Sequence, residues 1–156
     1  MGELIDQIHA ALGVPASRLK VLLVEDDAND VELLNLAMKS VGGPVVEVAF
    51  NGREALEAVQ AHVQRESCLD LILCDLNMPV MNGFEFMKWL KGESPCPRTP
   101  VVVFTSSVVD TDRARAYDLG AAAYLVKPSS HKDLQEVLKA LVNFWKLVQT
   151  VKPKGQ

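Results

Sequence analysis

Asp75 stands at the exit of a short apolar run, Leu71 to Cys74, and Pro79 with Asn82-Gly83 imposes a turn just beyond it. A carboxylate in that place is held on a rigid element, faces solvent and is ionised at neutral pH. Three other apolar runs also end in polar residues. Lys20 to Val24 leads into Glu25, Asp26 and Asp27; Val101 to Phe104 leads into Thr105, Ser106 and Ser107; Ala122 to Val126 leads into Lys127-Pro128. Crowded carboxylates raise one another's pKa, and a divalent cation removes that cost. An all-oxygen site with one or two direct carboxylates suits Mg²⁺, or Mn²⁺ in its place. Lys127 supplies a compact positive charge for a phosphoryl oxygen or for Asp75 itself, and Thr105 a hydroxyl that can donate to the same oxygen. With that charge neutralised, Asp75 can attack phosphorus and form an aspartyl phosphate, and it needs no base to do so.

These residues are far apart in sequence, so the chemistry depends on elements that gather them. The runs at Lys20–Val24, Leu71–Cys74 and Val101–Phe104 read as strands buried on both faces. Val45 to Phe50 alternates more and reads as a further strand, and Ala122 to Val126 as the fifth. Helical spacing lies between them. Val31, Leu34, Met38 and Val41 mark one face, with Asp27 or Asn29 as cap and Gly42-Gly43-Pro44 as stop. Ala55, Leu56, Val59 and Val63 follow the Asn51-Gly52 turn, and Phe84, Met87 and Leu90 follow Gly83. A weak stripe with exposed Arg113 and Arg115 spans about Asp110 to Leu119, and a last helix runs from His131 to about Val148. Five strands alternating with five helices predict an α/β fold with a doubly wound parallel sheet. All strand C-termini then lie on one edge, where Glu25, Asp26, Asp75, Thr105 and Lys127 converge.

The 156 residues, 49% hydrophobic and 23% charged, suffice for one soluble domain with a full core. A net charge of −4 argues against nucleic acid as the main partner. No apolar run approaches a membrane span, and the acidic N-terminus is unlike a signal peptide. Leu4, Ile5, Ile8, Ala11 and Leu12 predict an extra N-terminal helix, giving a helical extension over 1–17, the domain over 18–150 and a disordered tail over 151–156. Cys68, Cys74 and Cys96 are odd in number and unpatterned, which predicts reduced thiols in a cytoplasmic protein and no zinc site.

Taken together, Leu23 to Asp27, Leu73 to Pro79 with Asn82-Gly83, Val103 to Ser106, and Tyr124 to Pro128 resemble the receiver domain of two-component response regulators. The resemblance covers about Leu19 to Val148 and implies a flavodoxin-like sheet of order 2-1-3-4-5. It implies Asp75 as phosphoacceptor, Asp26 as direct metal ligand, Glu25 as a ligand through water, and the Asn77 backbone carbonyl completing the site. It assigns Thr105 and Lys127 to the family's hydroxyl and lysine, Tyr124 to its aromatic switch position, and a cis peptide to Lys127-Pro128. Ser129 stands where the family usually has an aromatic residue. The resemblance further implies a sensor histidine kinase as partner, and a signalling protein that catalyses only its own phosphorylation and dephosphorylation. Because the resemblance covers nearly all of these 156 residues, it implies a single-domain regulator, with no output domain expected. Val24 to Leu33 and the late Phe144-Trp145 are similar to regulators of phytochrome-type kinases.

Other residues weigh less. Asp27 reads as a helix cap before a metal ligand, and Ser107 equally as a loop serine or as a residue that tunes attack of water on the phosphoryl group. His9, His62 and His131 read as surface residues. Cys74 reads as a core thiol, and Met78 and Met81 as loop packing or partner contacts. The last helix carries Leu134, Val137, Leu138, Leu141, Trp145 and Val148 in one stripe, and Val142, Phe144 and Leu147 widen it. That surplus predicts a homodimer through this helix, with coverage by the N-terminal helix as the alternative. Two further functions stay open: an adaptor of receiver fold that ignores phosphorylation, and an aspartate-nucleophile hydrolase. The hydrolase is disfavoured because Asn77 stands where a leaving-group acid is needed.

Overall fold

Leu71–Cys74 (β3) is wholly apolar but for a thiol and lies between Val21–Val24 (β1), which is all apolar, and Val101–Thr105 (β4), which is apolar up to its last residue, Thr105. All of these residues are buried, and burial of one Leu, Ile or Val side chain contributes about 1.5–3 kcal/mol. Val46–Ala49 (β2) pairs with β1 and Ala123–Val126 (β5) with β4, every pair parallel, in the order β2-β1-β3-β4-β5. The two edge strands are less covered, which explains the alternation in β2. In the computed structural model, the chain is described over residues 3–4, 7–8 and 19–148.

Helices Ala28–Ser40 (α1), Gly52–Gln64 (α2), Gly83–Gly92 (α3), Asp110–Asp118 (α4) and His131–Trp145 (α5) make the crossovers. Strand side chains alternate between two cores. Leu22, Val24, Ile72, Cys74, Val101 and Val103 pack with Ala55 and Val59 of α2 and with Met87 and Leu90 of α3. Leu23, Leu73, Val102 and Phe104 pack with Leu34 and Met38 of α1 and with Leu138 and Trp145 of α5. Side chains of Asp27, Asn51, Asn82 and Ser130 cap four of these helices, each contributing about 1 kcal/mol. Asp27 is therefore the cap of α1, and Asn51 caps α2 where a plain turn was expected. The α4 helix differs: no side chain of its N-cap residue bonds to it, and Ala116 is its one buried residue.

Several expectations need correction. Cys68 and Cys96 form a disulfide with Sγ–Sγ 2.03 Å, so two of the three thiols are paired. Their sequence spacing carries no pairing signal. The fold brings the α2–β3 connection beside the α3–β4 loop, where Thr99 Oγ1 donates to the Leu69 carbonyl at 3.3 Å. Cys74 stays free and buried, as a core thiol. No cis peptide occurs among the described residues, so Lys127-Pro128 is trans; Lys127 turns inward nonetheless, its ammonium donating to Glu25 and Asp75. In α5 the buried stripe is Leu134, Leu138, Val142 and Trp145, which places Val142 in the core. The helix ends at Trp145, three residues before Val148. Glu3, Leu4, Gln7 and Ile8 are helical, while the rest of the expected N-terminal helix, His9 and the tail from 151 lie outside the described residues. No helix among the described residues is long and apolar enough to cross a membrane.

Candidate functional site

Parallel pairing of β1 with β3 sets Val24 beside Cys74, so both chains leave the sheet side by side. The next residues, Glu25 and Asp75, are fixed by the backbone: the Glu25 N–H donates to the Ala49 carbonyl and the Asp75 N–H to the Val24 carbonyl, both at 3.0 Å. Asp75 Oδ1 accepts the Leu76 N–H at 2.7 Å. Glu25 is 1% exposed, and its Oε1 accepts the Asp27 N–H at 3.1 Å. Carboxylate oxygens of Glu25, Asp26 and Asp75 lie within 4.8 Å of one another. That donor set is all oxygen, part buried and part open through the exposed Asp26, which fits a hard divalent cation. Asn77 lies two residues past Asp75 and is exposed.

Lys127 arrives from β5 and binds three carboxylates: Glu25, Asp30 at 3.1 Å and Asp75 at 3.2 Å. Burial works against its ammonium, yet the hydrogen bond to Glu25 and the charges of Asp75 and Glu25 hold its pKa above the ordinary lysine value. Burial pushes Glu25 up to about 7 against the lowering pull of Lys127, and the Asp75 charge adds to the rise. Burial also raises the Cys74 thiol, with Asp75 and Glu25 adding to it, so this thiol is inert.

Thr105 is wholly buried at the end of β4 and makes no hydrogen bond to Asp75; its Oγ1 accepts the Ser107 N–H at 3.3 Å. The Tyr124 hydroxyl donates to the Ser107 carbonyl at 3.0 Å. Thr105 and Tyr124 are thus joined through one residue. Ser107 also donates its hydroxyl to Asp112 at 2.7 Å and accepts the Val109 N–H, so it anchors the start of α4. Arg113 lies over the Tyr124 ring at 5.9 Å, and the Tyr117 hydroxyl accepts the Tyr124 N–H at 3.1 Å.

Asp30 and the linking role of Ser107 went unread in the sequence. Asp30 sits in the first turn of α1, where an acidic residue is explained by the helix dipole alone. Only the reach of the Lys127 side chain from the end of β5 to α1 reveals its lysine. Of the histidines, His131 is exposed, while His62 is half-buried with Nε2 2.8 Å from Glu47. Met78 and Met81 pack against the core under α2 and α3. The β3–α3 loop turns sharply at Val80, where the Met81 N–H donates to the Pro79 carbonyl at 2.7 Å and φ is 67°. A β-branched residue with that φ is strained.

Comparison with known proteins agrees with this geometry. The family described as response regulator receiver domain matches residues 21–139. A probable methanogenesis regulatory protein of Methanothrix harundinacea, FilR2, is 32% identical over 127 residues, covering 80% of this chain and 82% of that protein. The chain spans 14% of two further curated relatives, a gliding motility regulatory protein of Myxococcus xanthus and the sensor histidine kinase CheAY of Helicobacter pylori. Among solved structures, the phosphorylated cyanobacterial phytochrome response regulator RcpA superposes with TM-score 0.75 at 30% identity, over 88% of this chain and 100% of that one. The Mn²⁺-bound form of response regulator Rcp1 superposes with TM-score 0.74 at 29% identity, over 86% and 99%.

Proposed function

The chain belongs to the response regulator receiver family, and from that premise we propose that it is a phosphorylation switch with Asp75 as the acceptor. The observation that carries this reading is the Lys127 ammonium bound to Asp75 and Glu25, two of the three clustered carboxylates. Glu25, Asp26 and Asp75, with the Asn77 backbone carbonyl, would hold Mg²⁺ or Mn²⁺, which when bound neutralises these carboxylates and draws charge from phosphoryl oxygens. An Asp75 carboxylate oxygen attacks the phosphorus of a phosphohistidine; the O–P bond forms, the P–N bond breaks, and its electron pair returns to the imidazole. Lys127 follows the negative charge onto a phosphoryl oxygen, and the Thr105 hydroxyl donates to another. Incubation with a small phosphodonor and Mg²⁺ tests this: one labile phosphoryl group per chain is expected. None at all would favour the phosphorylation-independent adaptor, and steady phosphate release the hydrolase.

When Thr105 moves toward the phosphoryl group, its bond to the Ser107 N–H is lost. Tyr124 then leaves the Ser107 carbonyl and turns inward, and the face of α4, β5 and α5 changes its affinity for a partner. Loading with beryllium trifluoride and Mg²⁺ should shift the tyrosine signals of Tyr124 and the amides of α4. Spectra that leave both in place would remove this step.

The kinase partner we infer is of the phytochrome type, on the strength of the likeness to RcpA, and phosphotransfer from the host's own histidine kinases is the direct measurement. The second copy is also a partner in this reading. Phe144 is 60% and Leu147 37% exposed beside the buried Trp145, an apolar end that a dimer through α5 would cover. Sedimentation at micromolar protein should show dimers, and Phe144→Glu should give monomers; a monomeric parent protein sinks the idea.

A further inference from the structure

We propose that Asp30 is a positioning residue for Lys127, holding the ammonium so that one N–H stays aimed at Asp75. This rests on the reading of Asp75 as acceptor. An ammonium offers three N–H donors and accepts none. Lys127 spends all three on carboxylates from three different elements: Glu25 at the end of β1, Asp30 in the first turn of α1, and Asp75 after β3.

Two of those anchors are fixed by other contacts. Glu25 is buried, with its second oxygen on the Asp27 N–H. Asp30 is held at its backbone, where its N–H donates to Asp27 Oδ1 at 3.0 Å, and the N-terminus of α1 favours its negative charge. Packing alone does not hold the lysine. Beside it lies a cavity of about 90 Å³, lined by Asp30, Leu34, Phe104, Lys127 and Pro128, which leaves the flexible four-carbon stem room to swing.

Glu25 alone therefore cannot fix the direction of the ammonium. With Asp30 as a second anchor, the remaining N–H faces Asp75. When the negative charge on Asp75 moves outward onto a phosphoryl group, that one N–H follows it while the other two stay bound. The Asp30 side chain is 41% exposed, and an ion pair that open contributes little to stability. Loss of Asp30 is thus expected to leave the fold intact and to show itself in the site.

The test is calorimetric titration of beryllium trifluoride into the Mg²⁺-loaded full chain, for the parent protein, Asp30→Ala, Asp30→Glu and Asp75→Asn. Losing one part-exposed charged contact predicts about tenfold weaker binding in Asp30→Ala, with most of it restored in Asp30→Glu. Titration of Mg²⁺ alone gives a second readout: Lys127, released by Asp30→Ala, settles on Glu25 and Asp75 and weakens the ion by about threefold. Binding equal to or tighter than the parent's in Asp30→Ala overturns the proposal, as does failure of Asp30→Glu to recover. If the parent protein binds no beryllium trifluoride, the acceptor reading falls first and takes this one with it. If the parent binds, Asp75→Asn does not, and Asp30→Ala matches the parent, then only the role of Asp30 is lost.

Discussion

Asp75→Asn should reduce phosphoryl incorporation from acetyl phosphate and Mg²⁺ to background while the protein stays folded. The amide keeps an oxygen for the Leu76 N–H, so the turn after β3 survives. It removes one negative charge from a place where carboxylate oxygens of Glu25, Asp26 and Asp75 crowd within 4.8 Å. The Asp75 charge is one of the causes that hold the Glu25 pKa up at about 7, so Glu25 should titrate lower in the variant. Relief of that repulsion predicts a melting temperature equal to or above the parent's. The two readouts together make the experiment decisive. A folded variant that still incorporates one phosphoryl group per chain would show that the acceptor lies elsewhere. Lost labelling in a variant that has also unfolded would show that the charge cluster stabilises the fold, contrary to the sign argued here.

Gly83→Ala is expected to damage both fold and site. Gly83 opens α3, its N–H donates to the Leu76 carbonyl at 2.9 Å, and the residue lies directly against the end of β3. A Cβ at this position would stand 2.2 Å from the Asp75 carbonyl oxygen and 3.0 Å from Leu76 Cα. Both neighbours are backbone, so no side chain can swing away to make room. Either α3 or the Asp75 peptide must move by about an ångström. Overpacking of this kind costs about 3 kcal/mol, which corresponds to a drop of about 6–12 °C in melting temperature for a chain of this size. Because the atom struck is the acceptor's own carbonyl, phosphorylation should fall even below the melting point. A variant with parent-like melting and labelling would mean that α3 does not approach Asp75 this closely.

Much of this site was legible in the sequence because its parts sit where buried apolar runs stop. Glu25, Asp26, Asp75 and Thr105 each follow such a run, Lys127 follows the half-covered edge strand β5, and a parallel sheet brings every strand's end to the same edge. What sequence reading could not supply is contact across elements that share no periodic signal. Asp30 meets Lys127 across 97 residues of sequence, and nothing in the local pattern of α1 marks it as more than a first-turn acid. Ser107 read equally as a loop serine or as a residue tuning attack of water, yet it joins Thr105 to Tyr124 through its backbone, which no side-chain type can advertise. Boundaries slipped where burial fades. Val45 is 96% exposed and Phe50 44%, so apolar letters extended β2 beyond its paired residues. Val142 was read as surplus on α5, yet it follows Leu138 by one helical turn and is buried with it, while Phe144 is left out.

The bond between Cys68 and Cys96 bears on every measurement above. It lies in the connections that lead into β3 and β4, at the opposite rim from Asp75. Thiol reductant would therefore cut a crosslink without touching any group at the acceptor. Protein purified with reductant and protein purified without it are two covalent species that share one acidic pocket. Comparisons between variants are meaningful only when free thiols have been counted in each sample.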